Sequence, residues 1–380
     1  MMLRKLVAAA VLVLCLAPPP VDAGPKRAKN VILFLADAGG IPTLNAASLH
    51  GYNAPLKLHV QTWPHVGLSD TSPSHGYVTD SANGMTAIVT GQKTRNGIIS
   101  QGPEAVRGTQ DGVWLKTILE YAEERGLATG VVTDMPVTDA TPAACYSHSN
   151  DRGKWGEIFG QAFTPRFGDG VDVLIGRGRA EIETQVKVGG SSFEQITARS
   201  GRPIYSSLEA VPPAEKRPVV VGESVDLRAA TLRALTELAK SDKGYFLMVE
   251  SDAHTPDPKP GLDRLVAFDK LIKEIQARVN LKDTLLLFTA DHSFALRVIG
   301  ESSDGPVLAG YDEWKASGVK GQTVRLTSLV VDNSHSAEEV AAIAIGAGSE
   351  RVSGFFPNTR LFHVMLDAWG FKQDTSAPKR

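Results

Sequence analysis

Six short apolar runs constrain the fold of this chain more than any other feature. They are Asn30–Ala36 (NVILFLA), Gly130–Thr133 (GVVT), Val171–Ile175 (VDVLI), Tyr245–Val249 (YFLMV), Thr284–Thr289 (TLLLFT) and Val340–Ile345 (VAAIAI). A strand with one face in water alternates apolar and polar residues. Runs this uniformly apolar fit strands covered on both faces, as in a parallel sheet between helices. Helical patterns lie between them. In Val113–Arg125, Leu115, Ile118, Leu119 and Ala122 fall on one stripe, and Gly126 supplies a stop. Asp226–Ser241 and Gly261–Val279 read the same way. This alternation predicts an α/β fold: a three-layer α/β/α sandwich around a central, mostly parallel β-sheet. Gly153–Gln161 and Gly300–Gly321 read as loops or insertions. With no internal repeat or linker, residues 24–380 are expected to form one domain.

Composition narrows the function classes. A chain of 380 residues with 42% hydrophobic types can bury a sizeable core. Lys+Arg 40 against Asp+Glu 42 gives a formal charge of -2, without the basic excess that nucleic-acid binding would show. Two cysteines build neither a disulfide scaffold nor a thiolate zinc cluster. Met1–Ala23 reads as a signal peptide: Arg4 and Lys5 form a charged start, Leu6–Leu16 is apolar but too short to span a bilayer, and small residues precede Gly24. The expected location is periplasmic or extracellular, with no membrane attachment once the leader is removed.

Ligands of open α/β sheets bind beyond the carboxyl ends of the strands. Asp37 follows the first run; Glu250, Asp252 and His254 follow the fourth; Asp291 and His292 follow the fifth. His335 is expected in a loop leading into the Val340 strand. Four carboxylates and three imidazoles exceed what one tetrahedral ion binds, so a multi-metal site is implied. Mixed N/O donors suit zinc and all-oxygen subsets suit magnesium. A nucleophile accompanies them. Asp80-Ser81-Ala82 opens an apolar helix-like stretch, Ser81–Thr90, whose N-terminus favours a bound anion. The sequence offers this serine no neighbouring histidine base, and a zinc ion would stabilise its alkoxide instead.

Four segments together resemble the alkaline phosphatase family. They are Asn30–Asp37; Val78–Ala82 with Gly91-Gln92-Lys93-Thr94; Asp139–Ala144 with Arg152; and Thr289–His292 with His335 and Gly346–Gly348. The resemblance implies hydrolysis of small phosphate monoesters through a phosphoserine on Ser81. It implies one zinc on Asp37, Asp291 and His292, a second zinc on Asp252, His254 and His335, and a magnesium on Asp37, Thr141 and Glu250. It also implies an arginine, Arg152, holding two phosphate oxygens, and it makes a homodimer possible. Arg152, Thr141 and Glu250 favour monoesterase over the alternatives, which are a phosphodiesterase or sulfatase relative, or a non-catalytic zinc- or phosphate-binding protein.

One stretch departs from the family pattern. Glu250-Ser251-Asp252-Ala253-His254 is compressed, so Asp252 and His254 stand at i and i+2, which suits extended rather than helical geometry. Asp257 is the fallback ligand if Asp252 does not serve. Asp139, two residues before Thr141, reads either as a residue near the magnesium or as a turn residue before Pro142.

Overall fold

Along the first strand, Val31, Leu33 and Leu35 enter one apolar cluster, while Ile32, Phe34 and Ala36 enter another. All six are fully buried. The pleat therefore delivers a continuous apolar run to two separate cores, and each such large side chain contributes about 1.5–3 kcal/mol on burial. Helices Ser81–Thr90, Ile118–Glu124, Ala140–Tyr146 and Thr359–Trp369 close the first core. Helices Ile41–Tyr52, Leu227–Leu238 and Pro258–Gln276 close the second. The result is a sheet with a helical layer on each side. This computed structural model describes residues 27–300, 305–318 and 323–374; Met1–Ala23 lies outside them.

In chain order the strands are β1 (Asn30–Asp37), β2 (His65–Asp70), β3 (Ala128–Pro136), β4 (Val173–Arg177), β5 (Ile204–Tyr205), β6 (Val219–Gly222), β7 (Tyr245–Asp252), β8 (Thr284–Thr289), β9 (Ser293–Val298), β10 (Thr323–Arg325), β11 (Leu329–Ser336), β12 (Val340–Gly346) and β13 (Gly354–Pro357). Ten of them form one sheet, ordered β13-β2-β12-β8-β1-β7-β3-β4-β6-β5. All six apolar runs lie in it. Both antiparallel pairings belong to β12, and every other pairing is parallel. Adjacent β8, β1, β7 and β3 end on the same side, with Asp37 in register with Asp252, and Leu35 and Thr133 in register with Glu250.

Four local expectations need correction. His335 is not in a loop: it lies on β11, in a separate antiparallel sheet ordered β10-β11-β9, where it pairs with Phe294 beyond a register shift. The helix expected over Val113–Arg125 starts only at Ile118. A capping box fixes that start, with the Thr117 hydroxyl accepting from the Glu120 N–H at 3.1 Å and the Glu120 carboxylate accepting from the Thr117 N–H at 2.9 Å. Just before it, Trp114 instead forms an antiparallel bridge with Gln101 of an earlier segment. Gly153–Gln161 contains a helix, Trp155–Gln161, and the described part of Gly300–Gly321 contains another, Tyr311–Ala316. Among the described residues no helix is long and apolar enough to cross a membrane.

Candidate active site

Ser81 is the first residue of its helix. Asp80 caps that helix, its carboxylate accepting from the Asn83 N–H at 3.1 Å. The helix stays close to the strand ends because of Gly84: a Cβ there would lie 2.6 Å from the Asp291 carbonyl oxygen. Ser81 Oγ is buried and lies 3.3 Å from His292 Nε2. No spacing in the sequence signals this histidine neighbour, because the two lie 211 positions apart.

His292 sits just after β8, fully buried. Its Nδ1 faces the Ser293 carbonyl at 3.2 Å. A carbonyl only accepts, so Nδ1 carries the proton and Nε2 presents a lone pair. Burial first, then the neighbouring His335 and His254, hold the ring pKa down at about 4, against the pull of Asp291. The imidazole is therefore neutral at ordinary pH. Nε2 lies 3.3 Å from Asp37 Oδ1 and 3.5 Å from Asp291 Oδ2.

The remaining imidazoles gather on the same ring. His335 stacks on His292 with centroids 3.8 Å apart, and its Nδ1 lies 2.9 Å from the Thr79 carbonyl. His254 Nδ1 lies 2.9 Å from Asp252 Oδ1 and 3.7 Å from Asp37 Oδ1. Two sets of side chains are close enough to share an ion: His254, His292 and His335, and Asp37, Asp291 and His292.

The carboxylates are placed at a cost. Burial pushes Asp37 well above the usual carboxylate range, and Asp291, Asp139 and Asp252 push the same way. Glu250 is raised by burial, then by Asp37 and Asp139, although the Thr133 hydroxyl donates to it at 2.5 Å. Asp37 Oδ1, Asp291 Oδ2, Glu250 Oε1 and Thr141 Oγ1 are all buried without a hydrogen-bond partner among the described residues. Leaving such groups unpaired in a low-dielectric interior costs several kcal/mol each. Cations would supply the missing partners, and the donors fit: nitrogen and oxygen around His292, oxygen alone on Thr141 and Glu250. The residues present thus suit bound metal.

Arg152 faces this cluster across a cleft of about 430 Å³ whose walls include Asp37, Ser81, Asp139, His254 and His335. Its guanidinium pairs with Asp80 at 3.2 Å and Asp139 at 2.9 Å. Burial would lower its pKa, but Asp139 and Asp80 outweigh that and raise it, so it is always charged. A larger cleft of about 940 Å³, between helix Trp155–Gln161 and the helix Arg179–Val188, holds none of these groups. Chemistry rather than volume picks out the smaller one.

A model of the alkaline phosphatase family matches residues 28–196 and 223–328. The chain belongs to the alkaline phosphatase family. It is 25% identical to the human tissue-nonspecific alkaline phosphatase, over 90% of this chain and 83% of that protein. It is 29% identical to the streptomycin-6-phosphate phosphatase of Streptomyces griseus, over 96% of each. A mutant of the TAB5 alkaline phosphatase with Mg bound in its M3 site superposes with a TM-score of 0.73 at 25% identity, over 92% of this chain and all of that one. The protein is therefore an enzyme of phosphatase type with a candidate metal centre.

Asp37, Ser81, Arg152, Asp252, His254 and His335 line the cleft, Asp291 and His292 lie against Asp37, and Glu250 is in register with Leu35, whereas the fallback ligand Asp257 lies apart. That carboxylate caps the helix Pro258–Gln276 in sequence position only, accepting from the Tyr311 hydroxyl at 2.7 Å and pairing with Lys315. Two residues were missed. Asp134 accepts from the Asp252 N–H at 2.9 Å and the Ser251 hydroxyl at 2.8 Å, and Arg264 pairs with Asp252 at 2.9 Å. Asp134 had a signal, since it follows the apolar run Gly130–Thr133 as Asp37 follows its own. Arg264 had none.

Proposed function

We propose that this alkaline phosphatase hydrolyses phosphate monoesters through a phosphoserine on Ser81, with two zinc ions and one magnesium ion. One zinc would be held by Asp37, Asp291 and His292, and the second at the His254 and His335 edge beside Asp252. The magnesium would be held by Asp37, Thr141 and Glu250. The observation that carries the reading is Ser81 Oγ at 3.3 Å from the His292 Nε2 lone pair, in one cleft with Arg152. Bound there, the ions would supply Lewis-acid charge for the attacking and leaving oxygens.

The chain's own groups do the rest. Arg152 offers a planar fork to two nonbridging oxygens of a dianionic monoester, exchanging the Asp80 and Asp139 carboxylates for phosphate. The N–H groups opening the Ser81 helix add positive potential at the phosphoryl. Ser81 Oγ forms a bond to phosphorus as the phosphorus–alkoxy bond breaks, and the alcohol leaves with a proton. Water then attacks the phosphoserine, releasing phosphate and restoring the hydroxyl. Neutral His292, with Nδ1 committed to the Ser293 carbonyl, would offer Nε2 to the zinc on the Ser81 side of the cleft. Two nonbridging oxygens facing Arg152 favour a monoester over a diester, which carries one negative charge rather than two. Met1–Ala23 is in keeping with export of the enzyme.

The test is turnover of p-nitrophenyl phosphate and of its bis-ester, with and without chelator. Monoester turnover should dominate, vanish on chelation and return with zinc and magnesium. Ser81→Ala should lose it by on the order of 10³-fold or more. Near-normal turnover by Ser81→Ala would remove the phosphoserine.

A further inference from the structure

The compressed segment after β7 changes the part that Asp252 plays. Asp252 ends the strand and His254 follows at i+2, so both side chains leave the same face. Asp252 Oδ1 lies 2.9 Å from His254 Nδ1 and accepts the His254 backbone N–H at 2.9 Å. Arg264 donates to Asp252 Oδ2 at 2.9 Å through Nη2 and to the Asp252 carbonyl at 2.6 Å through Nε. Asp134 holds the Asp252 N–H from the other side at 2.9 Å. The turn is tight: a Cβ on Gly261 would lie 2.2 Å from the His254 carbonyl oxygen, so helix Pro258–Gln276 fixes His254 from behind.

Both oxygens of Asp252 are thus engaged by protein. This sets it apart from Asp37, Asp291 and Glu250, each of which keeps a buried oxygen with no partner. A carboxylate facing Nδ1 accepts its proton, which leaves Nε2 of His254 as the lone pair. His292 and His335 also direct Nδ1 at a carbonyl, Ser293 and Thr79 respectively. His254 and His335 therefore hold Nε2 free for the second cation and His292 for the first, and a ring nitrogen of each lies within 4.8 Å of the others.

We infer that Asp252 is a positioning residue: it fixes the tautomer and angle of His254, with Arg264 and Asp134 holding it in place, and does not itself bind the ion. Outer carboxylates of this kind orient metal-binding histidines and raise their basicity. The inference rests on the proposed metal centre and departs from the ligand set that the family resemblance implies.

The measurement is zinc content and zinc affinity of the full chain, by competition with a chromophoric chelator. Asp252→Asn keeps an acceptor for Nδ1–H. It should retain the wild-type zinc count, with affinity at one position weaker by about 10–100-fold. Arg264→Gln should weaken the same position in the same direction, again with no ion lost. His254→Ala should lose one zinc per chain. Histidine ¹⁵N spectra of the zinc-loaded protein should show His254 protonated at Nδ1 and metal-bound at Nε2. Loss of one zinc from Asp252→Asn, wild-type affinity in Arg264→Gln, or an Asp252 oxygen about 2.0–2.2 Å from zinc in the loaded protein would each overturn the inference. Wild-type protein that binds no zinc would overturn the proposed function as well, so the two failures are distinguishable.

Discussion

Two buried polar clusters in this molecule are built from the same residue types and finished differently. At the strand ends, Asp37, Asp291 and Glu250 are pressed together with oxygens that nothing among the described residues satisfies. Beneath the helix Ile118–Glu124, Glu120 accepts from the Thr117 N–H, pairs with Arg166 at 3.4 Å and lies 3.6 Å from His148. His148 reaches the Leu115 carbonyl at 2.8 Å and stacks on Trp114 with centroids 4.9 Å apart. Both clusters have displaced pKa values. Burial lifts Glu120 to about 7, against Arg166 and Lys116, and lowers His148 to about 3, with Arg166 adding to the effect. Perturbed titration therefore does not separate a working site from a structural one. Unpartnered carboxylate oxygen does: among the described residues only Asp37, Asp291 and Glu250 carry one, which suits cations, and the second cluster closes on itself.

Neutralising one carboxylate in each cluster sharpens this contrast. The largest effect is expected from Asp37→Asn, which should cut monoester turnover by on the order of 10³-fold and reduce metal content. Its effect on stability should change sign with metal. A raised carboxyl pKa means that stability is full below the ordinary range and lost as pH rises through the folded value. Metal-stripped Asp37→Asn should accordingly melt higher than stripped wild type at neutral pH, and metal-loaded Asp37→Asn lower than loaded wild type. Equal melting shifts in both forms would break the contrast.

Glu120→Gln comes next. Gln preserves the capping box, and turnover should be unchanged. In wild type the Glu120 contribution is full below pH 4.5 and is lost as pH rises to about 7. That shift corresponds to roughly 3 kcal/mol, so Glu120→Gln should flatten the stability profile over this window. Denaturant melts at several pH values would show it, and a profile as steep as wild type would count against the buried, charged state. The smallest effect is expected from Asp257→Asn, whose partner Lys315 is an exposed lysine. It should change stability by less than about 1 kcal/mol and leave zinc content intact. Loss of zinc there would return Asp257 to the ligand set.

Much of this arrangement was legible in the primary structure, for identifiable reasons. The six apolar runs were strands because both faces are covered, and Ser81–Thr90 is helical over that span. The strand-end rule collected Asp37, Glu250 and Asp291 because chain direction alone places them at one edge. Direction was also the limit: periodicity carries no sign, so the reversed β12 was invisible. Short or mixed strands escaped as well. His65–Asp70 includes His65, Gly67 and Asp70, and only the first residues of Leu329–Ser336 are apolar. The stripe that suggested a longer helix before Ile118 was real, but the capping box at Thr117 stopped it. Arg264 and the approach of His292 to Ser81 are products of packing across the sheet, which one-dimensional spacing does not record.

The three contacts that knit the site together are between residues far apart in the chain. Ala38 meets Asp291 across 253 residues, Ser81 meets His292 across 211, and His335 meets Thr79 across 256. During synthesis the serine and its first carboxylate emerge long before any of the histidines that face them exist. A partial chain ending before β8 lacks both histidine-containing sets, although it already carries Asp37, Thr141 and Glu250. Contacts of such range form late because loop closure precedes their reward. Loading of the histidine-containing sets would consequently report that the chain has been made through His335 and has closed.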